Sequence, residues 1–149
     1  MPLVVLPSAI AAVVRADRDG NLADFLRGLA ITVDVRRAGP ADLGRARELL
    51  QRAHQLDLNG ERPALDGADV WVATCRDRLA DHGIVSVGVV SNGRLAAWVC
   101  SCRVLPHRVA PRILGEMLRR NHGVTAEWRA TPYNAACAGI VEEALALCS

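Results

Sequence analysis

The feature that most restricts the fold is an apolar run, Ile84–Val90, followed at once by Ser91-Asn92-Gly93 and a second apolar, β-branched run from Leu95 to Arg103. Asn-Gly between two such runs is the strongest short-range hairpin signal, because a tight primed turn needs positive φ at its central residues. Unbroken apolar character over Ile84–Val90 predicts a strand covered on both faces, near the centre of a sheet.

Other elements fall into place around that hairpin. Ile31, Val33 and Val35 alternate with polar residues and predict a half-buried strand over Ile31–Arg36. Gly39-Pro40 opens a helix whose Leu43, Ala46, Leu49, Leu50 and Ala53 share one face. His54 to Gly67 is polar, with Gly60, Pro63 and Gly67, and reads as a loop. Val70–Thr74 reads as a strand and Asp77–Gly83 as a turn. A helical face at Val109, Ile113, Leu114, Met117 and Leu118 ends at Asn121-His122-Gly123. Val124–Arg129 predicts a strand, and Asn134–Leu147 a helix with Ile140, Val141, Ala144 and Leu145 inward. The order predicts an α/β domain over residues 25–149, its sheet mixed but mainly antiparallel, with one strand–helix–strand crossover. Residues 1–24 read as a leader segment.

Composition narrows the function classes. The chain has 149 residues, 51% apolar and 23% charged, enough for one domain with a proper core. Its 18 basic and 16 acidic side chains leave +2, a balance that predicts no nucleic-acid partner. Five cysteines without a spaced framework predict a reducing, cytoplasmic setting. The apolar stretch Leu3–Val14 is interrupted by Pro7 and is too short for a membrane span, so no membrane partner is expected.

Between the return strand and the helix near Val109 lies a basic turn, Arg103 to Arg108. A strand that runs through a turn into a helix presents free backbone N–H groups and the positive end of the helix dipole, which suits a phosphate. Arg103 and Arg108 flank the turn and His107 lies within it. They read either as a charge-assisted phosphate clamp, Arg103 more than Arg108, or as two solvated surface arginines.

The element order resembles the GNAT acyltransferase fold, in which the fourth strand feeds a phosphate-gripping turn. Particular residues resemble the C-terminal, GNAT-like domain of FkbH-like proteins, which load glyceryl units onto carrier proteins in polyketide assembly. That family carries a run close to Thr-Asn-Gln-Phe-Asn-Leu-Thr-Thr-Arg-Arg. Here the run is Ala53-His54-Gln55-Leu56-Asp57-Leu58-Asn59-Gly60-Glu61-Arg62, matching at Gln55, Leu58 and Arg62. The family's Asp-Arg-Phe-Gly-Asp is Asp77-Arg78-Leu79-Ala80-Asp81, its Ser-Cys-Arg-Val-Leu is intact at Ser101–Leu105, and its Thr-x-x-Asn falls at Thr131 and Asn134. The likeness covers about residues 25–145. Both glycines of the family's turn are replaced, by Pro106 and Arg108, and the acidic residue expected at the start of the fourth strand is Ala96.

The resemblance implies an acyltransferase of specialised-metabolite, including antibiotic, biosynthesis. Its donor would be the phosphopantetheine thioester of an acyl or peptidyl carrier protein, with acyl-CoA as the alternative, and no metal. Loss of the turn glycines fits a carrier arm, with one phosphodiester, better than the diphosphate of coenzyme A. The acceptor would be an amine or hydroxyl of a small molecule. Arg103, Val104, His107, Arg108 and Asn134 would hold the donor arm. Gln55, Asp57, Trp98, Ser101 and Thr131 would line the acyl and acceptor side, with Trp98 beside Trp128 on an adjacent strand. A second copy in a homodimer, or the leader, would cover the sheet edge left where the chain ends.

Three residues stand out as catalytic candidates. His54, with Asp57 nearby, has the chemistry of a general base. Cys102 lies two residues after Cys100, so both would share one strand face. It reads either as an acyl-accepting thiolate beside Arg103 or as a small core residue. Tyr133, the only tyrosine, stands where GNAT enzymes often place the acid that protonates the leaving thiolate. Two rival readings remain: a non-catalytic module that docks a carrier protein, and an acetyl-CoA-dependent N-acetyltransferase.

Overall fold

The computed structural model of the chain describes residues 30–103 and 108–148. The expected leader, and Val104 and His107 of the basic turn, lie outside the described residues. Among the described residues the molecule is α/β, with one five-stranded antiparallel sheet and flanking helices. In chain order the elements are β1 (Thr32–Arg37), a 3-10 turn (Pro40–Asp42), α1 (Leu43–Arg52), β2 (Leu56–Asp57), β3 (Asp69–Arg76), β4 (Asp81–Ser91), β5 (Arg94–Cys100), α2 (Ala110–Arg120) and α3 (Cys137–Cys148). The sheet order is β1-β3-β4-β5-β2.

The hairpin of β4 and β5 sits where its apolar pattern requires. Asn92 and Gly93 both have positive φ (54° and 73°), the geometry for which the Asn-Gly pair was read. One face of the sheet packs Val70, Val72, Val87, Val89, Ala97 and Val99 against Ala46, Leu49 and Leu50 of α1. The opposite face packs Val85, Leu95 and Trp98 against α2 and α3. Each helix is held by the amphipathic stripe read from its spacing. In α3, Cys137, Val141 and Ala144 are buried. Leu145, expected inward, is 45% exposed, because the helix starts three residues later than Asn134 and its buried stripe is narrow.

Three one-residue bulges explain how the strands change face. Ala73 pairs Ser86 while Thr74 pairs Ile84, leaving Val85 extra in β4; Cys75 pairs Gly83 while Arg76 pairs Asp81, leaving His82 extra. In β5 the extra residue is Ala96, between the Val89–Ala97 and Val90–Leu95 pairs. An extra residue reverses the alternation, so Val85 and Leu95 join the α2–α3 side although Val87 and Val89, and Ala97 and Val99, face α1. The His82 bulge turns its imidazole wholly inside, against Asp77. Simple reading of the sequence had placed His82 in an open turn.

Further expectations differ from the structure, among them the end of the Asp77–Gly83 turn, which belongs to β4 from Asp81 on. The loop after α1 contains β2, too short for a periodicity signal. The return strand ends at Cys100 rather than Arg103, and Cys102-Arg103 form a 3-10 turn. Val124–Arg129 is not a strand: it keeps one parallel bridge, Thr125 to Arg94, with Leu95 N donating to Thr125 O at 2.7 Å and Thr125 N to Gly93 O at 3.1 Å. The ladder stops there because downstream the outer edge of β5 is occupied by β2, and Arg129 N donates to Leu58 O instead. The crossover is therefore one bridge long, and the sheet itself is wholly antiparallel. Finally, Asn134 precedes α3 and does not begin it.

Gly88 fixes the distance between sheet and helix. A Cβ there would meet Met117 Sδ at 3.0 Å and Leu95 Cδ1 at 3.2 Å. Gly88→Val should overpack this contact and lower stability by about 1–3 kcal/mol, read as a lower urea midpoint at unchanged m-value.

Candidate functional site

Pairing of β2 with β5 builds the site. Leu56 lies opposite Cys100, and Asp57 opposite Val99, which brings the chain just after α1 to the end of β5. His54 and Gln55 are thereby placed next to the 3-10 turn that carries Cys102. Tyr133 reaches the same place from the segment before α3. His54, Cys102 and Tyr133, with Gln55, line one cleft of about 490 Å³. The rings of His54 and Tyr133 stand 6.1 Å apart, centroid to centroid, at 52°. All three side chains read as catalytic candidates thus meet, although 79 positions separate His54 from Tyr133 in the sequence.

Two hydrogen-bonded clasps hold the cleft's walls. Arg62 donates from Nε to Leu50 O (2.5 Å) and from Nη2 to Ala53 O (2.9 Å), satisfying carbonyls at the end of α1. The same Nη2 donates to Asp57 Oδ2 at 2.8 Å, while Asp57 Oδ1 accepts from Asn59 N and Gly60 N. Asp57 is therefore bound to Arg62 and to backbone. It is not the partner of His54 that their spacing suggested. Asn134, wholly buried, donates from Nδ2 to Asp57 O (2.8 Å) and Arg129 O (2.9 Å), and accepts from Thr131 N at Oδ1 (2.7 Å). Thr131 Oγ1 accepts from Tyr133 N. The Thr-x-x-Asn element thus ties the turn that presents Tyr133 onto β2.

Cys100 and Cys102 do not share a face. Cys100 is wholly buried in the core behind the cleft's wall, whereas Cys102, past the strand's end, is exposed; both border the cleft. Burial raises the thiol of Cys75 to about 11 and that of Cys137 to about 12, and pushes Cys100 up as well. These three are core thiols, held in the unreactive protonated form. Native protein should therefore label rapidly at two cysteines, Cys102 and Cys148, and at all five only when unfolded. Intact mass after brief alkylation checks the count, and Cys102→Ser should remove one fast adduct.

Ser101 is buried; its N–H donates to Val85 O, and its Oγ accepts from Arg103 N at 3.3 Å, which shapes the turn. Trp98 is wholly inside the α2–α3 core, against which Trp128 also packs, so filling the core accounts for it. Trp128 stands on no strand; its indole N–H donates to Asn134 O at 3.3 Å. Arg108 has φ 58°, the left-handed conformation that glycine adopts freely, at the place where the resembled turn has a glycine. Val99 and Cys100 pair outward with β2, so their backbone edge is not open to polarise a carbonyl.

A second cleft, of about 270 Å³, adjoins the first and shares Arg52, Ala53 and Cys102 with it. Arg45 and Arg103 complete its basic lining. Neither Arg45 nor Arg52 stands out in the sequence. The available signal was their spacing: seven residues apart, with Glu48 between, they stack on one side of α1. Among the described residues no three His, Cys, Asp or Glu side chains gather as metal ligands do, and no helix is long and apolar enough to cross a membrane. Comparison with protein-family models, with curated proteins and with solved structures found no match to this chain.

Proposed function

We propose that this chain is a GNAT-type acyltransferase of the FkbH-like kind, which moves an acyl group from a phosphopantetheine thioester, on a carrier protein, to an amine or hydroxyl of a small acceptor. The observation that carries the reading is the meeting of His54, Cys102 and Tyr133 in one open cleft at the end of β5. A base, a thiol and a phenol in one concavity are the groups that thioester chemistry uses. In the direct route the acceptor attacks the thioester carbonyl and its proton passes to His54. The C–S bond breaks, and the departing pantetheine thiolate takes a proton from Tyr133, which His54 restores. In the relay route Cys102 attacks first, the acyl group becomes a thioester on its Sγ, and its proton leaves on the pantetheine thiol. The acceptor then attacks the acyl-Cys102 carbonyl and frees the thiol.

Incubation with an acyl carrier protein, followed by intact-protein mass spectrometry, separates the routes. An added acyl mass on Cys102, and no turnover by Cys102→Ala, select the relay; full turnover by that variant selects the direct route. Acetyl-CoA as the preferred donor would overturn the carrier-protein assignment. The engagement of Asp57 by Arg62 favours one rival, because His54 then lacks the carboxylate that would orient it. In that reading the chain docks a carrier protein without acting on it, and predicts tight carrier binding with no turnover for any acceptor.

A further inference from the structure

Three arginines line the smaller cleft, and two of them, Arg45 and Arg52, share a single carboxylate. The Arg45 side chain is only 9% exposed, yet it carries a full charge into the wall between α1 and the end of β5. Burial lowers its pKa; Glu48 raises it, and Arg52 and Arg103 lower it again. Arg45 Nη1 meets Glu48 Oε1 at 3.2 Å, and Arg52 Nη1 meets the same oxygen at 3.3 Å. One carboxylate thus serves two guanidiniums, and Arg103 stands on the same cleft. Arg45 Nε is buried and has no hydrogen-bond partner among the described residues. A buried, charged donor left unpartnered is costly, and an oxyanion in the cleft would offset the charge that Arg45 and Arg52 share over one carboxylate.

We infer that Arg45, Arg52 and Arg103 form an oxyanion site, taking a carboxylate or phosphate group of a small ligand whose remaining atoms extend past Cys102 into the larger cleft. The chemistry is that of guanidinium forks on a planar or tetrahedral oxyanion. The volume, about 270 Å³, suits an acid group with a few carbons and not a whole pantetheine arm. Arg52 and Cys102 belong to both clefts, so an acid seated in the first places its neighbouring atoms beside the thiol. The oxyanion belongs either to the acceptor, which is then a small hydroxy or amino acid, or to the phosphodiester at the foot of the donor arm. The owner assigned to the oxyanion rests on the acyl-transfer reading; the site itself does not, because binding is read without turnover.

Isothermal titration of the full chain with inorganic phosphate, at fixed ionic strength, tests it. Saturable binding is expected, weakened at least about tenfold in Arg52→Gln and in Arg45→Met, since each removes one charge-assisted partner. Arg52 is 72% exposed on its side chain, so its variant keeps the fold even where the Arg45 variant does not. Competition by 4′-phosphopantetheine, with none by pantetheine, assigns the oxyanion to the donor. Competition by lactate or serine, with none by either pantetheine compound, assigns it to the acceptor. No saturable binding, equal binding in wild type and Arg52→Gln, or phosphate binding that no organic acid or phosphopantetheine displaces (an adventitious ion only) would each overturn the site. Phosphate binding with no turnover sinks the acyltransferase and leaves this site standing.

Discussion

Asp77→Ala is expected to lower stability by about 3–5 kcal/mol, the usual consequence of breaking a buried, hydrogen-bonded pair from one side. The Asp77 and His82 side chains are both fully buried, with Oδ2 and Nε2 2.9 Å apart. Asp77 Oδ1 also accepts from Leu79 N (2.7 Å) and Ala80 N (2.9 Å), closing the turn between β3 and β4. Truncation therefore leaves an imidazole and two amides without their carboxylate. Burial by itself opposes the charge on Asp77, but the bonds from His82, Leu79 and Ala80 outweigh it and hold the carboxyl below its usual value. A carboxyl depressed in the folded state stabilises fully above its unfolded value of about 3.9, and that share is lost as pH falls through the lower folded value. The gap between wild type and Asp77→Ala in denaturant melts should hold from neutral pH down to about 4 and shrink below it. A gap unchanged down to pH 2 would show that the carboxylate's charge contributes nothing.

Asn134→Ala should be the second large loss, about 3 kcal/mol, with an effect on the cleft as well. Three side-chain bonds disappear together, leaving Asp57 O, Arg129 O and Thr131 N unpaired in or near the core. Asn134→Asp keeps size and shape but turns a carboxylate oxygen toward two carbonyls, so it should be no better tolerated than alanine. Tyr133 rides on this turn, hence either variant should also alter Tyr133 fluorescence or its nuclear magnetic resonance line at temperatures where the protein remains folded. Two variants within about 0.5 kcal/mol of wild type would remove Asn134 from the framework and return it to the ligand-binding role first read for it.

How much of this was legible in the chain follows from the reach of each signal. The hairpin at Asn92-Gly93 was legible because local turn chemistry and the flanking apolar runs agree. The stripes of α1 and α2 were legible because period 3.6 persists over ten residues or more. β2 was not, since two residues carry no period; its existence depends on Cys100, over forty positions away. Val124–Arg129 has the residues of a strand but finds the edge of β5 already occupied, a tertiary decision that no local window contains. The bulges at His82, Val85 and Ala96 are likewise properties of pairing.

The candidate site divides in the same way. His54, Cys102 and Tyr133 were found one at a time from chemical type, and the fold brings them together. Asp57, Thr131 and Asn134 were read as ligand contacts, because polar residues in loops look alike whether they face a substrate or each other. Only hydrogen-bond partners separate the cases. Arg45 was missed because an arginine on an amphipathic helix is ordinarily solvated, and its burial arises from the neighbouring end of β5.

The separation of cleft from ladder has a consequence for how such a chain can be changed. His54 and Tyr133 belong to no strand or helix, and Cys102 sits just beyond the last ladder pair. Exchanging any of the three for another small or polar residue disturbs no sheet register and opens no core cavity. Chemistry at this position is thus free to drift, or to be redesigned, while the clasps of Arg62 and Asn134 keep the vessel intact. A library restricted to those three positions should return mostly folded members, which makes the cleft a practical place to install a different nucleophile.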